Sequence, residues 1–122
     1  MNLWLIAAGL LAALSAVGHA VPGASMFCNP ILLRLDDPRL GAVFTGIWHL
    51  ITVHFGLSGL ALDVCGIIGD GRAVGWLVAL QFASYAVIYL TLSLRLGGLR
   101  ELLQWLPFSA VAALALVGLL AV

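Results

Sequence analysis

Four long apolar runs divide the sequence, and each is long enough to cross a lipid bilayer. They cover residues 3–21, 40–62, 73–94 and 105–122. A transmembrane helix needs about 20 apolar residues, and the runs are continuous, whereas β-barrel strands alternate in polarity. The pattern predicts an all-α integral membrane protein with a single domain over residues 1–122. We expect four transmembrane helices in an antiparallel up-down bundle.

Glycine and proline separate the apolar runs. Pro22-Gly23 follows the first run, Gly69 and Gly71 follow the second, and Gly97-Gly98 follows the third. The longest predicted loop covers residues 23–38, and its middle could form a short interfacial segment between helices 1 and 2. The first run lacks a basic n-region, so we interpret it as a transmembrane helix and not as a cleaved signal peptide.

Composition and charge support a membrane location. Hydrophobic residues make up 64% of the chain and charged residues only 8%, whereas soluble domains carry about 25% charged residues. The expected partner is therefore the lipid bilayer. The five cations are all arginine and the net charge is zero, so the chain has no basic patch for nucleic acid. Arginines concentrate in the first and third loops, which predicts that both termini lie outside the cytoplasm. The predominance of Leu, Ala, Gly and Val suits a bacterial inner-membrane protein.

Three histidines lie inside the apolar runs, where ionisable side chains are costly and usually functional. His19 ends a stripe of small or polar residues on the first run, and His49 belongs to a similar stripe on the second. The stripes contain Ala8, Ala12, Ser15 and His19, and Thr45, His49, Thr52, Gly56, Gly59 and Asp63. We expect the stripes to face each other and to bring His19 and His49 together at similar depth. His54 points elsewhere on its helix, towards another neighbour or a subunit partner.

Polar side chains near the middle of the third run could orient these histidines. Gln81, Ser84, Tyr85 and Tyr89 recur at helical spacing, and Asp63 closes the stripe on the second run. Such groups act as a second shell that fixes a histidine's tautomer. The structural alternatives are an interfacial position for His19, an interhelical hydrogen bond for His49, and core packing for the tyrosines.

The first functional hypothesis is a membrane bundle that binds a haem-type tetrapyrrole, such as haem b, or a transition metal. Imidazole is a common axial ligand of haem. The small residues one helical turn away, Ser15, Thr45 and Thr52, would let a ring approach His19 and His49. Electron transfer, with a quinone as a possible partner, would follow by analogy.

Two other classes of function remain open. His19, His49 and His54, together with Asp63, could hold a metal ion or relay protons in a metal-ion or proton transport protein. The small extramembrane mass also suits a structural subunit or assembly factor, acting as a homo-oligomer or in a larger membrane complex. Enzymatic activity is undecided, because no hydrolase, P-loop or dinucleotide motif occurs in the chain.

Overall fold

The computed structural model describes residues 1–121 and consists of four helices joined by short connections. These helices are α1 (Leu3–Leu32), α2 (Pro38–Ile68), α3 (Arg72–Leu96) and α4 (Trp105–Leu120). The first three are long and apolar enough to cross a membrane, and α4 is a shorter apolar helix of 16 residues. Within residues 1–121 there is no β-strand. The predicted helical class and its membrane-like apolar helices are therefore confirmed.

The first helix does not end at Pro22-Gly23, where the sequence predicted a loop. After its α-helical part, the chain continues as a π-helix over His19–Cys28 and becomes α-helical again at Asn29–Leu32. The predicted loop over 23–38 is therefore wrong for most of its length. Only residues 33–37 connect α1 to α2.

The π-helix explains how the chain passes Pro22 without ending the helix. Proline interrupts an α-helix because it has no N–H and its ring clashes with the carbonyl four residues earlier. In a π-helix the hydrogen bonds reach five residues back, as in the bond from the Asn29 N–H to the Ala24 carbonyl. Pro22 lies inside this segment. Since π-helical segments are rare and frequently lie at functional sites, the segment that starts at His19 is notable.

The second helix is longer than predicted at both ends. Asp37 caps it by accepting a hydrogen bond from the Arg39 N–H at 2.8 Å, and Pro38 occupies the first turn, where its missing N–H has no cost. The helix ends at Gly69, which has a φ of 78°. Glycine adopts this left-handed conformation without steric strain, so the chain can turn directly into α3.

Asn2 joins three helices at one end of the molecule. Its side-chain oxygen accepts hydrogen bonds from the N–H groups of Trp4 and Leu5 and so caps α1. Its side-chain amide donates to the Gly118 carbonyl at 2.7 Å, and its backbone N–H donates to the Gly66 carbonyl at 2.7 Å. These bonds hold the start of α1 against the ends of α2 and α4.

The backbones of α1 and α2 come very close in this region. A Cβ atom added to Gly59 would lie 2.7 Å from the Gly9 carbonyl oxygen and 2.9 Å from the Ala13 nitrogen. Only glycine fits at such a distance, as at other close membrane-helix contacts. We call this region, formed by residues 2–13 of α1 and 59–66 of α2, the packed end. The predicted packing of the first two helices on each other is confirmed here.

The remaining helix contacts complete the arrangement. α1 also packs against α4, α4 packs extensively against α3, and α3 makes a smaller contact with α2. The Arg72 guanidinium donates to the Leu119 carbonyl at 2.8 Å, so the start of α3 also lies at the end of α4. Many large apolar side chains face outward, including Leu10, Leu50 and Leu80. Hydrocarbon around the molecule would cover these faces without cost.

Candidate functional site

His19 lies between α1 and α2 at the first residue of the π-helical segment. Its imidazole ring stacks on the Trp48 indole with ring centroids 4.0 Å apart and planes inclined by 20°. The Phe55 ring meets it edge-on at 5.8 Å. Two aromatic rings of α2 therefore fix the position of the imidazole.

The hydrogen bonds around Thr52 determine which nitrogen of His19 carries the proton. The Thr52 hydroxyl donates to the Trp48 carbonyl in its own helix at 3.3 Å. Either group can donate in the 2.8 Å contact between this hydroxyl and His19 Nδ1; with the hydroxyl proton on the Trp48 carbonyl, the hydroxyl oxygen accepts from Nδ1–H. Nδ1 is then protonated, and Nε2 carries a free lone pair in the neutral imidazole. No hydrogen bond joins Nε2 to another residue in the described part of the chain.

A cavity of about 600 Å³ adjoins His19. Residues from α1, α2 and α4 line it, together with Tyr89 of α3 and Leu102 and Gln104 of the connection before α4. Its walls are mainly apolar, and they include Leu14, Met26, Phe27, Ile51, Pro107 and Phe108. The volume falls within the 300–1,000 Å³ typical of small-molecule sites. We call this space the His19 cavity, and the surrounding region, residues 15–27 of α1 and 48–55 of α2, the open end.

Two buried polar atoms at the His19 cavity have no hydrogen-bond partner among residues 1–121. They are Nε1 of Trp48, a donor, and Oε1 of Gln104, an acceptor. Both residues line the cavity. Unpaired buried polar atoms are unusual in native proteins and call for an explanation. Both atoms are covered by neighbouring protein atoms, so the atoms themselves do not face the cavity.

Ser93 holds the connection that carries Leu102 and Gln104. It is fully buried, its hydroxyl donates to the Gly98 carbonyl at 2.6 Å, and its oxygen accepts from the Leu102 N–H at 3.1 Å. One side chain thus satisfies two backbone groups of the connection. It fixes the part of the chain that closes the cavity next to Pro107.

The structure does not place His49 beside this cavity. His49 is exposed, and it is Trp48 that contacts His19. Thr45 bonds to the Gly41 carbonyl in its own helix, whereas Ser15 lines the cavity. Of the residues predicted to bind a cofactor, His19, Ser15 and Thr52 are thus brought together, and His49 and Thr45 are not.

His54 belongs to a separate hydrogen-bonded group between α2 and α3. Its Nε2 lies 3.1 Å from the Tyr85 hydroxyl and 3.5 Å from the Ser58 hydroxyl. The Gln81 amide donates to the Tyr85 oxygen at 2.9 Å. Of the polar residues predicted to orient the histidines, Tyr85 therefore contacts His54, and Gln81 contacts Tyr85. Phe55 separates the two sites, with its ring 6.2 Å from His54 and 5.8 Å from His19.

The other predicted polar residues lie apart from His19. Ser84 is exposed and bonds to the Leu80 carbonyl in its own helix. Asp63 lies against Gly9 in the packed end, about 15 Å along α1 from His19. Across residues 1–121, no three His, Cys, Asp or Glu side chains are grouped closely enough to hold a metal ion. The predicted three-histidine metal site is therefore not assembled.

The sequence analysis missed several residues of the His19 cavity. Trp48, Gln104 and Phe108 were not among the predicted site residues. The available signal was Gln104, a polar residue directly before the last apolar run. The remaining cavity residues are apolar, and their pattern does not differ from that of ordinary core residues.

Comparison with protein-family models, curated proteins and solved structures gives no match to this chain.

Proposed function

We propose that this protein binds a haem-type tetrapyrrole within the membrane, with His19 Nε2 as the ligand of its iron. The observation that carries the proposal is the contact of His19 Nδ1 with the Thr52 hydroxyl, which leaves Nε2 without a protein partner on a residue that lines a large apolar cavity. Histidines that bind metals nearly always donate their other N–H to such a partner. The bound iron would supply one-electron chemistry.

The composition of the cavity wall fits a planar apolar ring. Aromatic and aliphatic side chains cover most of it, while Ser15 and Gly18 leave space next to His19. The chain would thus provide one imidazole ligand and an apolar pocket.

The proposal places the chain in the membrane as a four-span antiparallel bundle, with α4 as the fourth span. The contacts of Asn2 with Gly66 and Gly118 support this arrangement, because they put the start of α1 beside the ends of α2 and α4. Arginines in the first and third connections favour a cytoplasmic location for these connections and external termini in a bacterial inner membrane.

Haem titration of the purified protein in detergent micelles tests this function. We expect a Soret band that shifts on reduction with dithionite, with saturation at one haem per chain. The His19→Ala variant should lose the band, and His49→Ala should retain it, because His49 lies outside the cavity. Unchanged spectra for His19→Ala would refute the proposal.

The same preparations distinguish the other two functions suggested by the sequence. Histidine-dependent flux of protons or divalent cations in proteoliposomes, without haem binding, would favour transport. Co-purification in a defined stoichiometric complex, without haem binding or flux, would favour a structural subunit or assembly factor. A role in electron transfer would require, in addition, that a quinol reduces the bound haem.

A further inference from the structure

A second cavity adjoins His54, on the other side of Phe55 from His19. It has a volume of about 360 Å³ and lies between α2, α3 and α4. Its wall is aromatic and aliphatic, and includes Leu50, Ile51, Phe55, Tyr85, Tyr89 and Phe108. The proposed haem site does not use His54 or this space.

The hydrogen bonds of Tyr85 have a definite direction. The Gln81 amide nitrogen can only donate, so the Tyr85 oxygen accepts from it at 2.9 Å. The single proton of Tyr85 is then available for His54 Nε2 at 3.1 Å. The Ser58 hydroxyl also approaches Nε2, at 3.5 Å. Two hydroxyl groups therefore favour Nε2 as an acceptor.

In this arrangement neutral His54 carries its proton on Nδ1. This N–H makes no hydrogen bond to any residue in 1–121, although His54 lines the cavity. An unpaired N–H in an apolar site is costly, since neither hydrocarbon nor apolar side chains can accept from it. In this arrangement His54, which lines the cavity, offers one N–H donor, and the complementary group is an acceptor such as a carbonyl oxygen.

The depth of His54 restricts the source of that carbonyl. His54 is close to the midpoint of α2, which spans Pro38–Ile68. The ester carbonyls of phospholipids lie near the edge of the hydrocarbon core, about 15 Å from its centre. A carbonyl attached to a lipid-soluble ring can reach the centre, and the rings of Phe55, Tyr85 and Phe108 provide surfaces on which it can stack.

We propose that the His54 cavity binds a quinone-type lipid, whose carbonyl oxygen accepts a hydrogen bond from His54 Nδ1. Tyr85 is a positioning residue in this site, because it holds the imidazole in the tautomer that donates. The site is separate from the His19 cavity, although Ile51, Phe55, Tyr89 and Phe108 line both.

Binding of decylubiquinone to the protein in phosphatidylcholine nanodiscs tests the proposal. The readouts are a titration of tryptophan fluorescence and the infrared carbonyl band of the bound quinone. His54→Ala should weaken binding about tenfold, equivalent to one lost hydrogen bond, and should abolish the band shift. His54→Gln, which keeps an N–H donor, should restore part of the affinity, and His49→Ala should leave it unchanged. Equal affinity of the wild type and His54→Ala would overturn the proposal.

Two further measurements test the role of Tyr85 and the source of the carbonyl group that binds His54. In Tyr85→Phe, the ¹⁵N spectrum of His54 should show loss of the single Nδ1–H tautomer, and quinone binding should weaken. An unchanged spectrum would contradict the positioning role of Tyr85.

In nanodiscs of ether-linked lipids, which have no ester carbonyls, the His54 signals should be unchanged without quinone. A change would assign the site to phospholipid. Neither readout uses haem, and His19→Ala should still bind quinone.

Discussion

The packed end and the open end of the α1–α2 contact differ in the side chains that separate the two helices. At the packed end, glycine and alanine let the backbones touch, as between Gly9 and Gly59. At the open end, the rings of Trp48 and Phe55 lie between the helices, and the His19 cavity adjoins them. The same pair of helices thus provides close packing at one end and a binding site at the other.

This difference has a simple physical origin in a membrane. Lipid is as apolar as leucine, so helices associate through close packing and hydrogen bonds more than through the hydrophobic effect. The small residues of the packed end and the hydrogen bonds of Asn2 provide that association. The open end can therefore contain a cavity while the helices remain in contact.

The largest expected effect on stability comes from adding one methyl group at the packed end. Gly59→Ala would place Cβ 2.7 Å from the Gly9 carbonyl oxygen, so the two backbones must separate. We expect the free energy of unfolding to fall by about 1–3 kcal/mol or more. Denaturation by SDS in mixed micelles, followed by circular dichroism, measures the change. An unchanged midpoint would show that the helices are not this close.

The next largest loss is expected when Ser93, which holds the connection beside the His19 cavity, is replaced. Ser93→Ala removes the partner of the Gly98 carbonyl and the Leu102 N–H, which should cost about 1–3 kcal/mol and loosen the connection that carries Gln104. Haem affinity should fall together with stability. Ser84→Ala is the matched control, because Ser84 is exposed and bonds only within its helix. Equal behaviour of the two variants would contradict this role of Ser93.

Replacement of Thr52 tests the orientation of His19 without removing it. Thr52→Val deletes the acceptor for Nδ1–H while nearly keeping the side-chain shape. Haem affinity should fall about 10–100-fold, as is typical when a metal ligand loses its hydrogen-bond partner. Thr52→Ser keeps the hydroxyl and should retain most of the affinity. If both variants bind haem like the wild type, Thr52 does not orient the ligand.

The smallest effect is predicted for Gly56, which belongs to the sequence stripe but not to the close contact. A Cβ on Gly56 would meet no atom within 4 Å. Gly56→Ala should therefore stabilise the protein by up to about 1 kcal/mol, because alanine favours helix more than glycine does. The same SDS denaturation checks this, and a loss as large as that of Gly59→Ala would remove the distinction between the two ends.

The helix pattern could be predicted from hydropathy because each apolar run is long and continuous. The exception was the end of the first helix. Pro22-Gly23 is a normal signal for a break, yet the chain absorbs the proline in a π-helix. That outcome depends on the packing of His19 and Gly23 against Trp48, a tertiary contact that a local pattern does not contain.

The candidate site was predicted in part. The stripe on the second run placed Thr52, Gly59 and Asp63 correctly towards α1 but chose His49 where the structure has Trp48. Successive residues on a helix point about 100° apart. A prediction based only on small and polar residues therefore names the adjacent residue when a large aromatic side chain faces the neighbouring helix. The cavity itself was not predictable, because it results from how four helices leave space between them.

Chemical rescue of a His19→Gly variant tests the central claim most directly. The substitution removes the imidazole and leaves space beside Trp48, which free imidazole can enter. We predict that His19→Gly retains no haem after unbound haem is removed by gel filtration, and that imidazole restores protein-bound haem with a Soret band close to that of the wild type. The account would be contradicted if His19→Gly bound haem with the wild-type spectrum in the absence of imidazole.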